Sequence, residues 1–192
     1  GGSKGIPKKN IKLFLGKPLI YYSINLAKKI KNIDKVFVST DDNEIAEISK
    51  KYGAEVIDRP SDLASDNSPE WLSWQHAIKW VENKYGRFET FLSLPTTSPL
   101  RNELDIMNCL STLSKEIDIV IGITKSARSP WFNMVKKDEN QNIQLLLKND
   151  KTIVNRQQAP ESFDITTCAY VTRTNFVKDN NSIFDGKVCG IE

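Results

Sequence analysis

The sequence predicts an α/β domain built on an open, mostly parallel, twisted sheet with helices on both faces. Three observations predict it. Short β-branched and aromatic runs alternate with longer amphipathic runs, and capping or turn residues punctuate the changes between them. Alternation at these lengths needs right-handed crossovers, which set neighbouring strands parallel. With 192 residues, 39% hydrophobic and 27% charged, the chain can bury a substantial core without a disulfide or a metal.

The elements follow in order. Pro18 to Lys31 places Leu19, Tyr22, Ile24, Ala27 and Ile30 at mostly helical intervals, with lysines at its C-terminal end, and reads as a helix. Lys35 to Asp41 is a compact strand, Asp42 a helix N-cap, and Asn43 to Tyr52 a helix stopped by Gly53. Ala54 to Ile57 is a short strand. Loop chemistry from Asp58 to Asn67 leads to Ser68-Pro69-Glu70, a helix start whose Trp71, Trp74, Ile78 and Val81 form one stripe. Glu89 to Leu94 is the next strand, Asn102 caps a helix through about Lys115, and Asp118 to Thr124 is a strand of the buried type. From Ser126 the pattern changes. Phe132 to Lys137 and Ile143 to Lys148 flank the polar tip Asp138 to Asn142 as a hairpin, after which Thr166 to Thr172 and Lys187 to Ile191 return to strand character.

Composition excludes several function classes. Twenty-seven basic against 24 acidic residues give a net charge of +3, too balanced to predict a nucleic-acid or membrane partner. The longest apolar stretches, such as Ile117 to Ile123, fall well short of the ~20 residues that a membrane-spanning helix needs, so a soluble, cytoplasmic protein is expected. Cys109, Cys168 and Cys189 lack metal-site spacing and sit in apolar runs, which fits buried thiols in a reducing compartment. The one histidine, His76, lies off the tryptophan stripe and reads as a solvated or edge residue. A single histidine also argues against His-rich metal sites and a Ser/His/Asp hydrolase.

Ligands in open α/β sheets bind at the carboxyl ends of the strands, which directs attention to five loops. Gly1 to Asn10 (GGSKGIPKKN) joins glycines, a hydroxyl and three lysines, a composition suited to phosphates, although it fits no standard phosphate-loop pattern. Read alone, it is equally a basic tail. Thr40-Asp41-Asp42 ends a strand; Asp42 is more economically a cap, and Asp41 serves a site or its own turn equally well. Arg59 offers a bidentate guanidinium at another strand end, the same residue that a plain surface charge would supply. Pro95 to Arg101 is a rigid, hydroxyl-rich turn suited to polyols or simply a strand-to-helix connection. Arg156-Gln157-Gln158 suits a carboxylate and hydroxyls or an exposed polar loop.

Six segments taken in order, GGSKGIPKKN, STDD, RPSDLASD, LPTTSPLR, NRQQAP and FDITTCAYV, resemble the acylneuraminate cytidylyltransferase family, the CMP-sialic acid synthetases. The resemblance covers almost the whole chain, and the FDITTCAYV and LPTTSPLR variants look closer to the bacterial branch acting on legionaminic or related nine-carbon acids. It implies a Rossmann-like nucleotide-diphospho-sugar transferase fold with a β-hairpin dimerisation arm, hence a homodimer. It also implies transfer of CMP from CTP to the anomeric hydroxyl of a nine-carbon acidic keto-sugar, with pyrophosphate released and Mg²⁺ as cofactor. Carried over by motif, Ser3, Lys4 and Lys9 fall in the triphosphate loop, Lys9 as the catalytic α-phosphate stabiliser. Asn10 and Arg59 match cytidine-contacting positions, Thr97, Ser98 and Arg101 the turn after the central strand, and Arg156 and Gln158 the region holding the sugar acid.

The chain also departs from that pattern. Residues 1–192 read as a single cytidylyltransferase domain with a hairpin inserted at 126–150, but the family's first strand, ending in Ala-Arg, would precede Gly1. Its metal-binding DxD would follow Glu192, which leaves the metal ligands unknown. Pro95-Thr96 replaces a Gln-Pro, and Thr166-Thr167 an Asn-Gly, of the sialic acid enzymes. Two other readings therefore stay open: a cytidylyltransferase for 3-deoxy-manno-octulosonate, and a catalytically inactive nucleotide-binding module.

Overall fold

A computed structural model describes residues 5–65, 68–148 and 153–192. The chain folds as two compact units: Gly1–Gly122 with Thr167–Ile191, and Ile123–Thr166 with Glu192.

In the first unit, a 3₁₀ turn over Lys9–Ile11 leads into a small hairpin of β1 (Leu13–Phe14) and β2 (Lys17–Pro18), paired antiparallel. The hairpin is not legible in the sequence, because two-residue strands carry no periodicity. Its turn is marked by Leu15 and Gly16, both at positive φ (47° and 79°), as a tight two-residue loop requires. Helix α1 (Leu19–Lys29) buries Ile20, Ser23, Ile24 and Ala27, the i, i+3, i+4, i+7 face. After β3 (Phe37–Thr40), Asp42 accepts from the backbone N–H groups of Glu44 (2.8 Å) and Ile45 (3.1 Å), starting α2 (Asn43–Lys51). Gly53 at φ 86° turns the chain into β4 (Glu55–Asp58), which pairs parallel with β3.

Helix α3 (Glu70–Tyr85) buries Trp71, Trp74, Ile78 and Val81, the stripe expected from sequence. β5 (Thr90–Ser93) is followed by α4 (Glu103–Thr112), opened by a reciprocal capping box of Asn102 and Asp105. The helix stops at Thr112, short of the expected Lys115. β6 (Ile119–Lys125) begins with four buried residues, Ile119–Gly122.

The second unit holds the expected hairpin, β7 (Val135–Lys137) antiparallel to β8 (Ile143–Leu145), and a 3₁₀ turn at Arg156–Gln158. β9 (Phe163–Arg173), the short helix α5 (Thr174–Asp179) and β10 (Val188–Ile191) complete the chain. α5 has no sequence signature, because six residues are too few to establish a period. It is anchored to α3 by the Trp71 indole N–H donating to the Asn180 carbonyl (2.7 Å) and the Gln75 amide donating to the Val177 carbonyl (2.9 Å).

The larger sheet has the order β10-β6-β9-β5. β10 lies parallel to β6, whereas β5 runs antiparallel to β9. The antiparallel pair departs from the all-crossover reading, since β9 is entered from a loop and 3₁₀ turn and has no crossover helix to set its direction. Ile30, Ile106, Cys109, Val120, Ala169 and Val171 form one core cluster, and Ile20, Ile24, Ile45 and Ala54 another. Of the three thiols expected to be buried, only Cys109 is fully enclosed; Cys168 and Cys189 are half-buried, and all three are free. His76 is half-buried rather than solvated, with its Nδ1 enclosed and without a hydrogen-bond partner among the described residues.

Candidate active site

A cavity of about 910 Å³ opens in the first unit. It is lined by residues of β3, α3 and β5 and by apolar side chains that include Ile24, Ile57, Ile78 and Val81. Its polar lining includes Asn10, Ser39, Asp41, Arg59, Thr96 and Thr97, most of them at or just after the carboxyl ends of β3, β4 and β5. That end is the one where open α/β sheets take their ligands.

Arg59 directly follows β4, and its backbone N–H donates to the Thr40 carbonyl (3.0 Å). Its Nε donates to Ser39 Oγ (3.1 Å) and its Nη2 to the Ser39 carbonyl (2.8 Å), which fixes the guanidinium plane at the mouth. Burial lowers its pKa from the ordinary value, opposed by Asp41 and Glu70. Asn10, in the N-terminal turn, lines the same cavity, with its Oδ1 accepting from Thr96 Oγ1 (2.7 Å). The N-terminal segment is thus tied to the turn after β5 across a separation of 86 residues.

That turn carries a second polar group. Thr97 Oγ1 donates to Thr167 Oγ1 (2.9 Å), and Ser98 Oγ lies at the same distance from it. Arg101 donates through Nη1 to the Cys168 carbonyl (2.7 Å) and the Thr167 carbonyl (3.3 Å), and through Nη2 to Ser23 Oγ. Its Nε is buried without a partner among the described residues. Burial pushes the guanidinium down to about 10, which leaves it charged at neutral pH.

Lys8 forms an ion pair with Glu44. Lys9 is half-buried in the 3₁₀ turn, one residue before Asn10, and is not among the residues lining the cavity. Ser3 and Lys4 lie outside the described residues. In the second unit, Arg156 Nη2 donates to the Ser126 carbonyl (3.0 Å). Asn155 caps the turn by accepting from the Gln158 N–H (3.1 Å), and Gln158 Oε1 accepts from the Val154 N–H (3.1 Å). A cavity of about 480 Å³ there is lined by Lys125, Arg128, Arg156 and Gln157. Gln157 lines it where Gln158 does not, and the Gln158 amide oxygen is committed to the Val154 N–H.

The structure therefore gathers Asn10, Arg59, Thr97, Ser98 and Arg101 in one unit and Arg156 and Gln158 in the other. Sequence reasoning gives no role to Ser39, Ser23 or Arg128. Ser39 opens the STDD motif without a role of its own, Ser23 is unmarked in the sequence, and Arg128 stands out only as a cation near the start of the inserted segment. Among the described residues, no group of three His, Cys, Asp or Glu side chains is placed to hold a metal ion. The expected Mg²⁺ thus finds no such ligand set among them.

A mixed sheet of this order flanked by helices, with a polar cleft at its strand ends, has the form of an α/β nucleotidyltransferase fold. A profile of the cytidylyltransferase family matches residues 1–183, and the chain belongs to that family, an enzyme of the nucleotidyltransferase class. Over 194 aligned residues covering all of this chain and 81% of each relative, it is 32% identical to the post-translational flagellin modification protein B of Campylobacter coli. Over the same span it is 33% identical to the CMP-N,N'-diacetyllegionaminic acid synthase of Campylobacter jejuni. Among solved structures it is similar to a CMP:2-keto-3-deoxy-manno-octonic acid synthetase complexed with CTP. That likeness has a TM-score of 0.67 at 16% identity, over 93% of this chain and 72% of the other, and concerns the fold.

Proposed function

We propose that this enzyme transfers CMP from CTP to the anomeric hydroxyl of a nine-carbon acidic keto-sugar of the sialic or legionaminic type, releasing pyrophosphate. The observation that carries the reading is the meeting of Asn10, Arg59 and Thr97 around one cleft at the strand ends. These residues are distant in sequence, and each lies in a motif of the resemblance. Relatives aligned along the full chain, one with a CMP-nonulosonate product in its name, support it.

The reaction is an in-line attack by the sugar oxygen on the α-phosphorus, with pyrophosphate as leaving group. A polyanion approached by an oxygen nucleophile needs cations and fixed donors more than covalent chemistry. In this reading Lys9, with Ser3 and Lys4, neutralises the triphosphate, and Lys9 stabilises charge developing at the α-phosphate. Asn10 and Arg59 orient the cytidine. Arg156, with Gln158, meets the sugar carboxylate, and Thr97 and Ser98 meet its hydroxyls. Arg101 serves as a positioning residue, since its Nη groups are spent on Cys168, Thr167 and Ser23. Mg²⁺ belongs to the proposal as an ion carried by the triphosphate, because magnesium takes most of its ligands from water and phosphate.

A homodimer belongs to it as well. Val135 and its cross-strand partner Leu145 on the hairpin are 55% and 40% exposed, and paired apolar surface of this kind favours a protein partner. Among the described residues no helix is long and apolar enough to cross a membrane. The free thiols are consistent with a reducing compartment such as the cytoplasm.

The test is CTP-dependent pyrophosphate release with N-acetylneuraminate, N,N'-diacetyllegionaminate and 3-deoxy-manno-octulosonate. Turnover with one of the first two supports the proposal. Turnover with only the third selects the eight-carbon reading. CTP binding by calorimetry without turnover selects the inactive module.

A further inference from the structure

Asp41 and Glu70 are given no role by the resemblance, yet they are the two carboxylates whose charge acts on Arg59. The fold brings them there from different elements. Thr40 is the register partner of Asp58 where β3 and β4 end, and the Arg59 N–H donates to the Thr40 carbonyl (3.0 Å). Asp41 and Arg59 are therefore the next residues of two parallel chains, side by side. Alternate residues of a strand share a face, so Asp41 falls with Ser39, whose hydroxyl and carbonyl accept from Arg59, and Arg59 falls with Ile57. All four line the cavity. Glu70 reaches the same cavity from the first turn of α3.

Arg59 alone would be a phosphate trap, because a guanidinium binds phosphate oxygens through paired N–H donors. Ser39 takes two contacts from it, through Nε and Nη2, and its other donors have no acceptor among the described residues. At the strand ends, however, the charged residues lining the cavity are Asp41, Arg59 and Glu70, one cation against two anions. The remaining charged lining, Asp34, Lys35, Arg87 and Glu89, precedes β3 and β5 and is balanced in sign. A phosphate arriving at Arg59 meets the two carboxylates as well, and their repulsion offsets the attraction. An uncharged group meets no such opposition, since its acceptors take N–H donors from the guanidinium while its own N–H or O–H groups donate to the carboxylates.

We infer that Asp41 and Glu70 decide which end of the nucleotide enters at Arg59, countering its charge so that the nucleoside is held there and the phosphates are turned away. The inference rests on the proposed transfer reaction and goes further by naming the residues that orient its nucleotide. Orientation matters to that reaction because CTP held backwards occupies the cleft without presenting its α-phosphorus to the sugar oxygen.

The experiment measures cytidine binding by calorimetry, with and without saturating inorganic pyrophosphate, in the wild type, Asp41→Asn, Glu70→Gln and the double variant. Both residues are exposed, both substitutions keep side-chain size while removing charge, and thermal unfolding checks that each variant is folded. In the wild type, pyrophosphate should change the cytidine Kd by less than about twofold, whereas in the double variant it should raise the apparent Kd about 5- to 20-fold, the scale of one or two screened charge pairs. The single variants should fall between. Direct titration of the double variant with pyrophosphate should show an added site that Arg59→Met removes. In steady state, kcat and KM for CTP should fall together by about two- to fivefold in the double variant, since backward CTP is bound but unreactive and leaves kcat/KM unchanged. Pyrophosphate competition that is missing from the double variant, or equally strong in the wild type, overturns the inference while leaving the transfer reaction standing. A lower kcat/KM for CTP without that competition overturns it too, by assigning the carboxylates to direct binding. A wild-type enzyme that binds neither cytidine nor CTP removes the proposed reaction and this inference together.

Discussion

Arg101→Met separates a guanidinium that holds the site together from one that binds ligand. Arg101 makes two strong hydrogen bonds, to the Cys168 carbonyl at 2.7 Å and to Ser23 Oγ. Hydrogen bonds from a charged donor contribute about 1.5–3 kcal/mol each. Against them stands the cost of taking the charge out of water, which is what pushes this guanidinium down to about 10. That cost is on the order of 2–3 kcal/mol after discounting for the part that meets solvent. Methionine retains much of the apolar stem but removes the guanidinium's hydrogen bonds to the Cys168 carbonyl and Ser23, at about 1 kcal/mol or more each.

The net expectation is a loss of about 2–3 kcal/mol. For 192 residues the unfolding entropy is about 0.4 kcal/mol/K, so Tm should fall by about 5–7 °C. Arg101→Lys supplies one donor in place of the planar fork and should lose about half as much. Scanning calorimetry on wild type, Arg101→Met, Ser23→Ala and the double variant measures the loss, and a coupling of about 1 kcal/mol between the two positions is expected. A Tm for Arg101→Met within about 1 °C of wild type, beside a tenfold rise in sugar KM, would refute the reasoning, since a loss of 2–3 kcal/mol has to appear in Tm.

Three further outcomes are expected. Lys9→Ala should lower kcat by ~10²–10³, the scale of removing one preorganised donor, with little change in the affinity for CTP; wild-type turnover in steady-state assays removes Lys9 from the reaction. Arg156→Ala should raise the sugar KM and spare kcat, because the carboxylate loses a charged partner in ground and transition state alike; sugar kinetics matching the wild type contradict its assignment. Burial pushes the Cys109 thiol from 9.0 to about 11, so its folded-state pKa is raised. The stability from its neutral form is complete below about pH 9 and lost as pH climbs towards 11. In a thiol-reagent time course at pH 8, Cys109 should therefore react last, and the urea midpoint should drop less steeply above pH 9 in Cys109→Ala than in wild type.

Much of the fold is legible in the sequence because its signals are local. The Asp42 and Asn102 caps and the Trp71, Trp74, Ile78, Val81 stripe each follow from a few neighbouring residues and recur in the structure at the expected positions. The direction of β9 is not legible, since what reverses it is the segment preceding it and not its own composition. The β1–β2 hairpin and α5 are too short to impose a period. His76 is half-buried, as an edge residue beside the tryptophan stripe is, but one helix face says nothing about which neighbouring elements enclose its Nδ1.

The candidate site divides along the same line. A guanidinium is conspicuous in any sequence, so Arg59, Arg101 and Arg156 stand out from residue type alone; what each one holds does not. Each of the three spends donors on the protein's own carbonyls or hydroxyls, so only the donors left over can reach a ligand. Ser39, Thr96 and Thr167 fall in motifs of the resemblance, yet what each one holds, Arg59, Asn10 and the Thr97–Ser98 turn respectively, comes only from the fold. Charge can be inferred from residue type because its field acts over several ångströms, whereas a hydroxyl matters only within about 3 Å of its partner.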